Sequence, residues 1–214
     1  TLDRSSAASD VYKRQLEGVA APLLLANLDT DQIMPKQFLR IIDKAGLAPG
    51  VLYDLRFHPD GSPRPDFILN QPAFSASKFL IGGPNFGCGS SREHAVWGLQ
   101  QLGIEAIIAS SFGEIFFGNA LNNRLLLIAL EQEKIDALLA DMSDGNYQLT
   151  IDLNAMTVST AQHSFPFTLG ARHRQMIVEG LDMIGATMQL LPEIERFEAG
   201  HDAHFPWAKV LPAA

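Results

Sequence analysis

The chain has 214 residues, a formal net charge of −8 at neutral pH, 47% apolar and 19% charged residues, and one cysteine, which suits one sizeable globular domain that buries roughly 70% of its unfolded surface. The acidic balance speaks against nucleic acid, whose binding proteins are rich in Lys and Arg, and a single cysteine excludes an internal disulfide, a Cys-rich zinc site or an iron–sulfur cluster held by this chain alone. No stretch approaches the roughly 20 apolar residues that span a membrane and no secretion signal opens the chain, so no membrane partner is expected and the expected compartment is the cytoplasm. Residues 1–15 are polar, rich in Ser and Ala and aperiodic, and read as a disordered or foreign segment ahead of the domain. Pro22–Leu25 is an apolar run suited to a first strand, Asn27–Ile33 reads as a polar turn, and Pro35 suits the first position of a short helix over Pro35–Leu39. Phe57–Pro72 contains four prolines and should be an irregular surface loop.

Lys78–Ile81 reads as a buried strand closed by Gly82-Gly83-Pro84. Ala95, Val96, Leu99 and Leu102 then recur at helical spacing, with Gly103 as the stop. Ser90 and Glu93 fit the Ser-x-x-Glu capping box, which would put Ser90 at the helix N-terminus. Ile104–Ala109 predicts a strand, Ser110–Leu121 a connection with a short helix, Leu125–Leu130 a strand and Glu131–Met142 an amphipathic helix; this alternation implies parallel pairing. Tyr147–Leu153 alternates as a strand, turns at Asn154-Ala155 and continues through Thr157-Val158 and Ser164–Leu169 as an antiparallel hairpin. Arg172–Gly185 and Pro192–Ala199 read as helical. The sum is an α/β fold, a mixed sheet with a parallel core and a C-terminal hairpin. Its body spans 16–190, followed by a C-terminal helix and tail over 191–214.

Chemistry concentrates in Asn85-Phe86-Gly87-Cys88-Gly89-Ser90-Ser91-Arg92-Glu93-His94, where a strand hands over to a helix. A helix start offers unpaired N–H groups and partial positive charge. Arg92 adds a planar fork matched to a carboxylate, and the glycines let a ligand approach the main chain. Singly, Ser90 is accounted for as a cap and Gly89 as a turn residue; the cluster favours an anion site. A P-loop fails because Cys88 follows Gly87, a dinucleotide fingerprint fails because Arg92 stands in place of the third glycine, and no nucleophile elbow is present. Cys88 with His94 is a weak thiol pair, since a cysteine among glycines is usually a small packing residue. His94 is placed to orient Glu93 or a backbone carbonyl, His201 and His204 lack a third metal ligand, and Arg172-His173-Arg174 suits a solvated face or an interface.

Three segments occur in order: Asp29-Thr30-Asp31-Gln32-Ile33-x-Pro35-Lys36-Gln37-Phe38-Leu39, Asn85–His94, and Ala109–Phe116 with Asn119 and Asn122-Asn123. Together they resemble the small subunit of 3-isopropylmalate dehydratase, the leucine-pathway branch of the aconitase superfamily, from about Asn27 to Gln189. The resemblance implies the aconitase-type swivelling β/β/α domain and a two-chain enzyme. A large subunit would carry the [4Fe–4S] cluster, and this chain would bind no cofactor or metal. The implied reaction dehydrates the dicarboxylate 2-isopropylmalate and rehydrates it at the neighbouring carbon, giving 3-isopropylmalate.

By the same resemblance, Ser90 corresponds to the serine that takes a proton from carbon. Ser91 and Arg92 correspond to residues that hold a substrate carboxylate, and Asp31 to an aspartate that orients charged partners. Lys36 is added as an extra cation from its residue type. Val96 and Gly98 stand where the pattern has proline and alanine, Leu127 where it often has proline, and residues 1–15 where an opening strand is expected. A homoaconitase or methylated-malate hydratase small subunit would share every catalytic residue, while a stand-alone anion-binding module would have no need of Ser90, Ser91 and Arg92 together.

Overall fold

The protein is described from a computed structural model, which covers residues 15–39, 45–142 and 144–208. Seven strands form one sheet in the order β4-β3-β2-β1-β5-β6-β7. These are β1 (Gln15–Leu23), β2 (Phe79–Gly82), β3 (Ala106–Ala109), β4 (Leu126–Ala129), β5 (Gln148–Asp152), β6 (Thr157–Ser159) and β7 (Ser164–Pro166). Pairing is parallel from β1 through β4 and antiparallel from β1 through β5 to β7. The expected parallel core and C-terminal hairpin are both present.

The parallel half is legible because both of its faces are covered, so its strands are continuous apolar runs instead of alternating ones. Leu80, Ile107 and Ala109 join the core that includes Ala95, Val96 and Leu99 of helix α3 (Glu93–Gln101) and Phe116 and Ala120 of α4 (Glu114–Asn122). Phe79, Ile81, Ala106 and Ile108 face the second core, with Ile135 and Leu138 of α5 (Gln132–Asp141).

The start of the chain departs from expectation. The first strand is Gln15–Leu23, not Pro22–Leu25; Leu24 and Leu25 lie beyond it and are exposed. Its sequence, QLEGVAAPL, is poor in β-branched and aromatic residues. Partners on both sides, β2 and β5, nevertheless make it the central strand. Apart from Gln15, the segment 1–15 lies outside the described residues. The expected polar turn contains a short helix, α1 (Thr30–Ile33), closed by a capping box: Gln32 N–H donates to Asp29 Oδ1 at 2.7 Å and Asp29 N–H to Gln32 Oε1 at 3.1 Å. The helix expected over Pro35–Leu39 is one 3₁₀ turn, Lys36–Phe38. Within the loop that follows, a short helix α2 (Tyr53–Arg56) precedes the proline-rich stretch.

At the other end, the helix expected over Arg172–Gly185 is two: α6 (Ala171–Val178) and α7 (Met183–Met188). Gly180, at φ +67°, ends the first, and Asp182 caps the second by accepting from Gly185 N–H at 2.7 Å. The basic cluster divides its roles, because Arg174 Nε donates to Leu153 O at 2.7 Å and ties α6 to the hairpin strands. Helix α8 (Leu191–His204) outruns the expected Pro192–Ala199. None of the described helices is long and apolar enough to cross a membrane.

Candidate active site

The loops leaving β1, β2 and β3 at their carboxyl ends meet on one face, the usual place for a ligand on a parallel sheet. They continue the strand order as a laced ladder. Gly87 N–H donates to Leu28 O at 2.7 Å and Thr30 N–H to Cys88 O at 2.9 Å on one side; Phe86 N–H donates to Ser111 O at 3.0 Å and Gly113 N–H to Phe86 O at 2.9 Å on the other. Phe86 anchors the middle loop, fully buried with its ring 5.7 Å from that of Phe116. Gly87 is required beside it. Its φ is +74°, and a Cβ would stand 2.3 Å from Phe116 Cγ.

This lacing brings residues from two distant segments together. The Ser90 hydroxyl donates to Asp31 Oδ1 at 2.7 Å, and Arg92 Nη2 lies 3.0 Å from the same oxygen. Arg92 Nη1 donates to Met34 O at 3.1 Å, so the last residue before helix α3 is braced against the end of α1. With the Asp31 side chain 57% exposed, the pair contributes on the order of 0–1 kcal/mol to stability. Its importance is in orientation.

Ser90 is not the helix cap. Helix α3 begins at Glu93 after Arg92, and no side chain caps it. The Ser90 carbonyl is instead the pinned group, accepting from Arg92 N–H at 2.9 Å and from Thr30 Oγ1 at 2.7 Å. Glu93 belongs to a different network: Asn123 Nδ2 donates to Glu93 Oε1 at 2.6 Å, while Trp97 Nε1 donates to Asn123 Oδ1 at 2.8 Å. His94 therefore does not orient Glu93; its ring packs on Trp97 at 4.9 Å. Cys88 Sγ donates to Asn27 O at 3.3 Å, and the contact that a Cys88–His94 nucleophile needs is not formed.

Of the residues singled out from sequence, Asp31, Ser90 and Arg92 form one contact cluster. Ser91, between Ser90 and Arg92 in the chain, is exposed and makes no hydrogen bond among the described residues. Lys36 is exposed in the 3₁₀ turn just past Met34 and forms no ion pair among the described residues. Thr30, buried at 1% exposure, and Asn123 carry no functional signal in their residue type, although both lie inside the three motif segments. Among the described residues, no group of three or more His, Cys, Asp or Glu side chains is arranged to hold a metal ion. The cluster lies on an open face. A hollow of about 560 Å³ lies elsewhere, along the flank of α3, lined in part by Trp97, Asn123, Asp182 and Ile184.

A serine hydroxyl, an arginine fork and a carboxylate at strand ends can hold an anionic substrate and move a proton. Comparison with known proteins gives this chemistry a family. The model of the aconitase C-terminal domain matches residues 11–133, LeuD_N matches 136–171, and the C-terminal domain of the 3-isopropylmalate dehydratase small subunit matches 183–209. The chain is 59% identical to 3-isopropylmalate dehydratase small subunit 1 of Chromobacterium violaceum, over 91% of this chain and 92% of that protein. It is 47% identical to small subunit 2 of Salmonella typhimurium, over 94% and 96% of the two chains. A crystal structure of 3-isopropylmalate dehydratase from Methanocaldococcus jannaschii shares the fold, with a TM-score of 0.63 at 24% identity over 85% of this chain and 98% of that one. The sequence motifs, the mixed sheet and these matches agree that the chain belongs to the family of 3-isopropylmalate dehydratase small subunits, within the aconitase superfamily.

Proposed function

We propose that this chain is the proton-handling and carboxylate-binding half of an isopropylmalate isomerase, which interconverts 2-isopropylmalate and 3-isopropylmalate through dehydration and rehydration in leucine biosynthesis. The observation that carries the reading is the convergence of Ser90 and Arg92 on one oxygen of Asp31. A guanidinium already paired with a carboxylate is shaped to exchange it for a substrate carboxylate, held through parallel N–H bonds. Ser91, exposed beside it, adds a hydroxyl donor to the same group.

In this mechanism Ser90 Oγ, deprotonated, takes the proton from the carbon next to the hydroxyl-bearing carbon; the C–H electron pair becomes the double bond, and the hydroxyl leaves as water with a proton supplied from the large-subunit side of the site. It returns a proton when water adds back in the other orientation. The structure sets a condition on that step: a serine that donates to a carboxylate is held in its protonated form, so Asp31 has to release Ser90 when substrate and partner arrive. A helix terminus, worth about 0.3–1 kcal/mol, is too weak to ionise the serine, because a single pKa unit requires about 1.36 kcal/mol.

The site is completed by a large subunit. A [4Fe–4S] cluster needs several thiolates, and this chain has one cysteine, whose thiol is turned to the Asn27 carbonyl. The residues present do not fit the group, so no step runs through it on this chain, and in this reading it resides on the large subunit. The same reading places the enzyme in the cytoplasm. Residues 16–190 act as the catalytic swivelling body, and 191–214 as an appended helix and tail.

Competition between substrates tests the assignment. With the large subunit added, turnover of 2-isopropylmalate, followed by the ultraviolet absorbance of the unsaturated acid, should exceed that of homocitrate by at least about tenfold in kcat/KM. A preference for homocitrate would transfer the chain to a homoaconitase.

A further inference from the structure

We infer that Thr30 is a positioning residue for Ser90, supplying a hydrogen bond to Ser90 Oγ once that oxygen carries negative charge. The inference rests on the proposed role of Ser90 as proton acceptor. Thr30 is one of only two buried polar or charged residues among those described, at 1% exposure. Its main chain is fixed, with its N–H on Cys88 O at 2.9 Å and its carbonyl accepting from Met34 N–H at 3.0 Å. Its Oγ1 donates to the Ser90 carbonyl at 2.7 Å and lies 3.4 Å from Ser90 Oγ.

A threonine hydroxyl has one proton to give. While Ser90 is protonated and donating to Asp31 Oδ1, its oxygen does not need another donor, and Thr30 spends its proton on the carbonyl. Once Ser90 ionises, its oxygen becomes an acceptor only. Among the described residues, Ser90 Oγ has two side-chain polar neighbours within hydrogen-bond range, Asp31 Oδ1 and Thr30 Oγ1. Of these, Thr30 alone can donate. Rotation of its hydroxyl from the carbonyl to Oγ does not orphan the carbonyl, which keeps the Arg92 N–H at 2.9 Å. The donor is thus held on a buried, fixed residue at the position where charge develops, which is the arrangement that stabilises an oxyanion at low reorganisation cost.

The test uses the complex with the large subunit and the variants Thr30→Val, Thr30→Ser, Ser90→Ala and the double Thr30→Val/Ser90→Ala. Thr30→Val should lower kcat by about 10- to 100-fold, somewhat less than the loss of a well-placed oxyanion donor, with KM unchanged within about twofold. Thr30→Ser, which keeps the hydroxyl, should return kcat to within about threefold of wild type. The double variant should be no slower than Ser90→Ala, because without Ser90 Oγ the donor has no acceptor. Wild-type kcat in Thr30→Val, a change confined to KM, or equal damage from Thr30→Ser would overturn the inference; if Thr30→Val does not fold, Thr30→Ala takes its place under the same criteria. Full turnover by Ser90→Ala would instead overturn the reading of Ser90 itself, while an inactive Ser90→Ala beside a fully active Thr30→Val would reject the Thr30 inference alone.

Discussion

Ser90→Ala is expected to reduce kcat of the assembled enzyme by about 10²- to 10⁴-fold, the range that a positioned base contributes, while leaving KM within about threefold. The split follows from the proposed roles, in which Ser90 meets the reacting carbon in the transition state and Arg92 and its neighbours supply ground-state affinity. Structure should survive the change. The lost hydroxyl bonds to the 57% exposed Asp31 side chain, which water can satisfy, so the stability change should stay near or below about 1 kcal/mol. Steady-state kinetics together with a urea titration of the free chain check both halves of the expectation. Unfolding at lower urea by several kcal/mol would mean that Ser90 is a structural residue.

Arg92→Lys is expected to act in the opposite way, raising KM by about 10- to 100-fold, equivalent to the roughly 1.5–3 kcal/mol of a hydrogen bond to a charged group. Lysine keeps the charge but loses the planar fork. It also loses the second anchor, the Nη1 bond to Met34 O at 3.1 Å, so the remaining charge sits on a looser stem. Substrate saturation curves and competition by a non-reactive dicarboxylate would measure the effect. A variant with unchanged KM would show that the substrate carboxylate is held by other groups.

Much of the fold is legible because the parallel strands are short, apolar and buried on both faces. Phe79–Gly82, Ala106–Ala109 and Leu126–Ala129 leave little choice of secondary structure, and Gly82-Gly83-Pro84 closes the first of them. The central strand is hidden for the converse reason: Gln15–Leu23 is rich in small residues and contains Gly18 and Pro22, so its strand character comes from its two neighbours and not from its own preferences.

The site divides similarly. Ser90, Ser91 and Arg92 stand in one motif, whereas the contact of Ser90 with Asp31 joins residues 59 apart in sequence, which local pattern does not reveal. The Ser90–Glu93 spacing matches a capping box, but tertiary contacts override it: Thr30 and the Arg92 main chain take the Ser90 carbonyl, and Asn123 takes Glu93. The capping box that forms is Asp29 with Gln32, inside a stretch whose polar composition resembles a turn.

In the proposed mechanism the exposed Ser90, hydrogen-bonded to Asp31, supplies one half of a catalytic site and a large subunit supplies the other. The most direct measurement compares 2-isopropylmalate turnover by this chain alone, by its large subunit alone and by the two mixed. The expected result is turnover in the mixture alone, rising with added chain until the large subunit is saturated and about 10²- to 10⁴-fold slower when the added chain carries Ser90→Ala. Turnover by this chain in isolation, or an unchanged rate with the Ser90→Ala chain in the mixture, would contradict it.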